Sequence, residues 1–133
     1  MKKLFATILI VAVMLTCAQV NAAKKLTAAD ADFAFTTITQ KLRWWNCTPL
    51  NIRWSGIDLE KAENVKYMND LAQGHGLYKK FTACMVFYSD FISPPDPHDG
   101  KVTAWNYDKE YKNYSWYFGL YDDGEWKLLT FGY

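Results

Sequence analysis

The sequence predicts an α+β domain in which N-terminal helices pack on a curved antiparallel sheet. Apolar residues recur at three- and four-residue steps in the first half of the chain, and at two-residue steps from Tyr78 onward. The turn sequence Asp122-Asp123-Gly124-Glu125 then separates the last two apolar runs, as in a hairpin. Helices first and a meander of strands last fit one sheet carrying helices.

The chain opens on a segment that reads as a cleavable leader. Lys2 and Lys3 precede a nearly unbroken apolar run over 4–15, and Gln19 and Asn21 mark a polar exit. Val20-Asn21-Ala22 supplies small residues at the third and first positions before a cut, so cleavage is expected after Ala22. This divides the chain into a signal peptide, 1–22, and a single α+β domain, 23–133. The apolar run is well short of the roughly twenty residues that a helix needs to cross a bilayer, and no later segment approaches that length. No membrane span is therefore expected, and the destination is the periplasm or the exterior of a bacterial-type cell. Met14-Leu15-Thr16-Cys17 resembles the lipobox of bacterial lipoproteins, but Thr16 stands where Gly, Ala or Ser belongs. Plain secretion is favoured over a lipid anchor at Cys17 or an uncleaved leader.

The first helix is expected over 27–45, with Thr27 as cap, Asp30 in the first turn and Ala31, Phe35, Ile38, Leu42 and Trp45 as its stripe. A second is expected over 58–73, with Asp58 as cap, Leu59, Ala62, Val65, Met68 and Ala72 on one face, and Gly74 in the left-handed terminal turn. Between them, Ile52 and Trp54 alternate with polar residues over 51–55, as a short strand or an extended connection. The run over 81–88 is apolar on both faces, which marks a central, covered strand. Pro94, Pro95 and Pro97 then stop regular structure over 93–100. Residues 101–107 and 111–121 read as one long strand with a bend or as two, and 126–131 returns antiparallel.

Loss of Lys2 and Lys3 with the leader takes the formal charge from +1 to −1. A chain so near neutrality lacks the basic surface that nucleic acid demands. The mature chain keeps Cys47 and Cys84, an even pair bound for an oxidising compartment, and a disulfide between them is expected. Closing a loop of that length would add about 4 kcal/mol.

Ser115-Trp116-Tyr117-Phe118, followed by Asp123-Gly124-Glu125-Trp126-Lys127-Leu128, together with the amphipathic first helix, resembles the cystatin-like folds and in particular the nuclear-transport-factor-like domains of small exported bacterial proteins. The resemblance implies a sheet curled into a cone over 26–133. It also implies a range of roles, since such domains include enzymes, transport factors and binding modules. Catalytic members place Asp and His inside the cone, whereas the two His here lie on no clear strand.

Chemistry is sparse. His75 sits between two glycines that read as a helix stop. Asp96, His98 and Asp99 crowd the proline loop as polar turn residues, and Asp122, Asp123 and Glu125 lack the spacing of a calcium loop. No Gly-x-Ser-x-Gly elbow is present. No metal, cofactor or catalytic residue is therefore assigned. Asn46-Cys47-Thr48 and Asn113-Tyr114-Ser115 match the glycosylation sequon, which carries no meaning behind a bacterial-type leader.

All but Phe5 of the 6 Trp, 9 Tyr and 8 Phe lie after the leader. Trp105, Tyr107, Tyr111, Tyr114 and Trp116 crowd one stretch among charged residues, and amphipathic rings with a wet edge suit stacking on sugars or anchoring a protein. These five are the candidate binding residues. The expectation is an exported non-catalytic binding domain for a protein or small ligand, an inhibitor or immunity-type protein being one version. The alternative is a small hydrolase or isomerase with its site in the sheet cavity.

Overall fold

A computed structural model describes residues 24–133 apart from Val102 and Ala104; the leader, the cut after Ala22 and Cys17 lie outside the described residues. The described residues form α1 (Ala28–Trp44), β1 (Thr48–Trp54), α2 (Ala62–Gly74), β2 (Phe81–Ile92), β3 (Glu110–Tyr121) and β4 (Trp126–Gly132). The strands make one open antiparallel sheet in the order β1-β2-β3-β4. This is the α+β architecture that the sequence predicts.

Thr27 caps α1 in a reciprocal capping box. Its Oγ1 accepts the Asp30 N–H at 3.1 Å, and Asp30 Oδ2 accepts the Thr27 N–H at 3.0 Å. Asp30 Oδ1 also accepts the indole N–H of Trp126 at 2.8 Å, which ties the start of α1 to the start of β4. At the other end, Asn46 takes the left-handed conformation (φ 59°), Asn46 N–H donates to Arg43 O and Cys47 N–H to Leu42 O. This is a Schellman closure, and it leaves Trp45 as the cap.

The second helix begins later than its sequence predicts. Asp58 accepts the Glu60 N–H in a local turn, and Lys61 stands at the cap with no side-chain hydrogen bond. The left-handed residue is Gly76 (φ 77°), not Gly74, with Leu77 N–H donating to Ala72 O. Two more residues of chain are needed because the closure spans Ala72 to Leu77.

The helices lie on opposite faces of the sheet. One core joins Ala34, Ile38 and Leu42 of α1 to Ala83, Met85, Phe87 and Phe91 of β2 and Trp116 and Phe118 of β3. The other joins Met68 and Ala72 of α2 to Cys84 and Val86 of β2 and Tyr121 of β3. Alternation along β2 sends neighbouring residues to different cores, so Cys84, Met85, Val86 and Phe87 are all buried. Each such large side chain contributes about 1.5–3 kcal/mol.

That division corrects the expected disulfide. Cys47 and Cys84 are both free and buried. Cys47 packs in the α1 core and Cys84 in the α2 core, with the sheet between them. A disulfide needs Cα atoms within about 7 Å and Cβ vectors that converge; Cys47 adjoins Thr48, which pairs with Ile92, eight residues along β2 from Cys84, and the two thiols face opposite sides of the sheet. An even count of cysteines speaks to compartment and not to facing.

Residues 101–107 form no strand among those described. Ile92 at the end of β2 already pairs with Glu110, so β2 offers no partner to anything earlier than β3. The proline loop is instead closed by the buried Ser93. Its Oγ donates to Asn106 O and accepts the Lys109 N–H at 2.9 Å, while its own N–H donates to Lys109 O at 2.8 Å.

Candidate functional site

A β-bulge builds the site. Between β2 and β3 the register runs Ser89↔Tyr114 and Phe91↔Tyr111, so three steps on β3 oppose two on β2. The extra residue is accommodated at Asn113, whose φ is 58°. In a regular strand, residues three apart face opposite ways. The bulge turns Tyr111 and Tyr114 to the same face, where both rings pack on Phe91, one stacked at 5.4 Å and 10° and the other edge-on at 5.3 Å and 80°.

Three side chains hold the bulge. Asp90 Oδ1 accepts the Asn113 N–H at 2.9 Å, an amide that the disrupted ladder would otherwise leave unpaired. Arg53 of β1 pairs with Asp90 Oδ2 at 3.2 Å and also donates to the Asn113 side-chain oxygen. The Asn113 N–H, against some burial and with help from Arg53 and Lys112, holds the Asp90 carboxyl below the usual carboxylate range.

On the α1 side of the sheet, the same face carries a cleft of about 480 Å³ lined by Trp45, Trp105, Tyr111, Tyr114, Phe131 and Tyr133, with Gly132. Each arrives by a different route. Trp45 is the cap of α1, Trp105 hangs from the proline loop, and Phe131 and Tyr133 end the chain. The rings meet edge to face: Trp105 on Tyr111 at 5.3 Å and 80°, Tyr114 on Tyr133 at 5.4 Å and 81°, and Phe131 on Trp45 at 5.0 Å and 61°. Burial raises the Tyr114 hydroxyl above the ordinary phenol value.

Of the five residues singled out in the sequence, Trp105, Tyr111 and Tyr114 line this cleft. Trp116 lies beneath it, fully buried, with its indole N–H donating to Ser89 Oγ at 2.7 Å and its ring stacked on Trp45 at 5.7 Å and 21°. It supports the wall without reaching the opening. Tyr107 is not part of the cleft lining, and its hydroxyl donates to Lys101 O at 3.4 Å within the loop. Trp45, Phe131 and Tyr133 were not singled out. The adjacent Trp44-Trp45 at a helix end and the aromatic pair at the last residues were the available signals.

The other features offer less. His75 is exposed at the end of α2 and His98 is exposed on the loop, 3.6 Å from Asp96. No three His, Cys, Asp or Glu side chains gather to hold a metal among the described residues. A depression of about 450 Å³ beside α2 holds Lys66, Lys79 and Lys80, but Lys66 pairs with Asp70 and Lys79 with Asp123. Among the described residues, no helix is long and apolar enough to cross a membrane. Compared with known proteins, the chain matches no family model, no curated protein and no solved structure.

Proposed function

We propose that the protein is an exported, non-catalytic binding domain whose ligand rests in the aromatic cleft of Trp45, Trp105, Tyr111, Tyr114, Phe131 and Tyr133. The observation that carries this is the lining itself: six aromatic side chains from four separate parts of the chain converge on one opening, and none of them is Asp, Glu, His, Cys, Ser or Lys. A hydrolase or isomerase commonly uses His or a carboxylate within hydrogen-bond reach of its substrate, and the polar side-chain groups of this cleft are phenol hydroxyls and an indole N–H. A pocket of aromatic bodies with a few polar tips is built for contact area at low entropic cost. Export rests on the leader-like residues 1–22.

Two measurements test the reading. Terminal sequencing of protein recovered from outside the cytoplasm is expected to begin at Ala23. Immobilised wild-type protein exposed to an envelope extract is expected to retain a ligand or partner that the Trp105→Ala protein does not. Equal retention by both, or none by either, would refute the cleft as the binding surface.

A further inference from the structure

We infer that the ligand of this cleft is an uncharged oligosaccharide, an inference that rests on the binding reading above and narrows it. Charge narrows the choice first. No Lys, Arg, Asp or Glu lines the cleft, so a ligand at its centre meets rings and hydroxyls and no charged side chain. Lys41 Nζ already lies 5.7 Å from the Trp45 ring centroid and 5.6 Å from that of Phe131. Those two rings thus already carry an ammonium of the protein's own.

Size and openness narrow it further. A volume of about 480 Å³ falls within the range of small-ligand sites, about 300–1,000 Å³. An alkyl chain gains most when enclosed, yet Phe131 is 38% and Tyr133 81% exposed. A sugar ring suits the half-open arrangement. Its C–H face is weakly positive and covers the negative face of an aromatic ring, while its hydroxyl edge stays in water or meets polar tips.

Those tips are present. The Tyr111 hydroxyl accepts the Asn106 N–H at 3.1 Å, which leaves its own proton to donate to a sugar oxygen. Trp105 and Tyr111 meet at 80°, so the indole and the hydroxyl-bearing ring present different surfaces to a ligand. Replacing either ring removes a different half of the recognition.

The test is an NMR titration of the indole N–H signals with cellohexaose, maltohexaose and chitohexaose, with choline chloride as the charged control. Saturable shifts of the Trp45 and Trp105 signals with at least one oligosaccharide, with Trp54 and Trp126 unmoved and no shift with choline, are expected. Trp105→Ala should weaken that binding at least tenfold. Tyr133→Ser, a change at an exposed position that leaves the core intact, should weaken it several-fold. Response to choline alone would overturn the inference. Silence towards all three oligosaccharides, while the wild-type protein still retains an envelope component that Trp105→Ala loses, would overturn the saccharide and leave the cleft as a binding site. Silence together with no retention would overturn both.

Discussion

Asp90 Oδ1 accepts the backbone N–H of Asn113 at 2.9 Å, one of the contacts that hold the bulge by which Tyr111 faces Phe91. Without the extra residue, strict alternation would send Tyr111 and Tyr114 to opposite sides of the sheet. Asp90→Ala removes the acceptor and the partner of Arg53, and is expected to cost about 1–3 kcal/mol. Asp90→Asn keeps the acceptor and loses the ion pair, and should cost less. Near-ultraviolet circular dichroism should change for the Ala variant more than for the Asn variant, since the coupled rings of Tyr111, Phe91 and Trp105 are displaced only when the bulge opens. Identical spectra for all three proteins would sever the link between Asp90 and the cleft.

Acid should weaken the fold in two places. The carboxyl of Asp30 is raised by burial but lowered further by the Thr27 N–H, the Trp126 indole and the Thr27 hydroxyl, so its native pKa lies below the ordinary 3.8. That of Asp90 is lowered as well. Depressed native values mean that the unfolded chain binds more protons, so this stabilisation is present above the ordinary carboxylate value and lost as pH falls through the native one. Melting temperature should therefore drop from pH 5 to pH 2. In Asp30→Asn the drop should be shallower and the starting value lower. A slope equal to wild type would contradict the role of Asp30.

The thiols give a third test. Burial pushes the Cys84 thiol up to about 12 and raises that of Cys47. A thiol reagent should label neither rapidly in the native protein and both after unfolding, and reductant should leave the melting temperature unchanged. Because the native thiols hold their protons longer than the unfolded ones, stability should also fall as pH rises beyond the ordinary 9.0. Cys84→Ala should flatten that alkaline decline. A single band shift on reduction would restore the disulfide.

Gly119 of β3 lies against the ring of Phe81, and a Cβ at 119 would fall well inside van der Waals contact distance of its ring atoms. Phe81 is buried and stacked on Tyr121 at 4.6 Å, so it has little room to withdraw. Gly119→Ala is expected to cost about 1–3 kcal/mol in denaturant unfolding. Gly119→Ala combined with Phe81→Leu should recover part of this. A neutral single variant would mean that Phe81 moves freely.

The elements that depend on local sequence were legible. Thr27 and Asp30 announce the start of α1, Asp123-Gly124 the hairpin, and the two-faced apolar run the central strand. What depended on partners was not. Residues 101–107 alternate like a strand, but Ile92 at the end of β2 is already paired with Glu110 of β3. Cys47 and Cys84 look like a pair until the sheet is placed between them. The richness in Trp and Tyr pointed to the stretch that supplies three of the cleft's rings, yet Tyr111 and Tyr114 come together only through a bulge held by Asp90 and Arg53, far off in the chain. Trp45 and Tyr133 enter the same cleft from a helix cap and the last residue, and no periodicity links them.

The geometry on which the binding reading depends can be checked by proton–proton NOE spectroscopy on the aromatic rings of the wild-type protein. Contacts from both Tyr111 and Tyr114 to Phe91, and from Tyr114 to Tyr133, are predicted. If Tyr111 instead gave cross-peaks to the Ile92 side chain, which a regular ladder would set opposite it, and none to Phe91, the bulge would not hold and the six rings would not form one cleft.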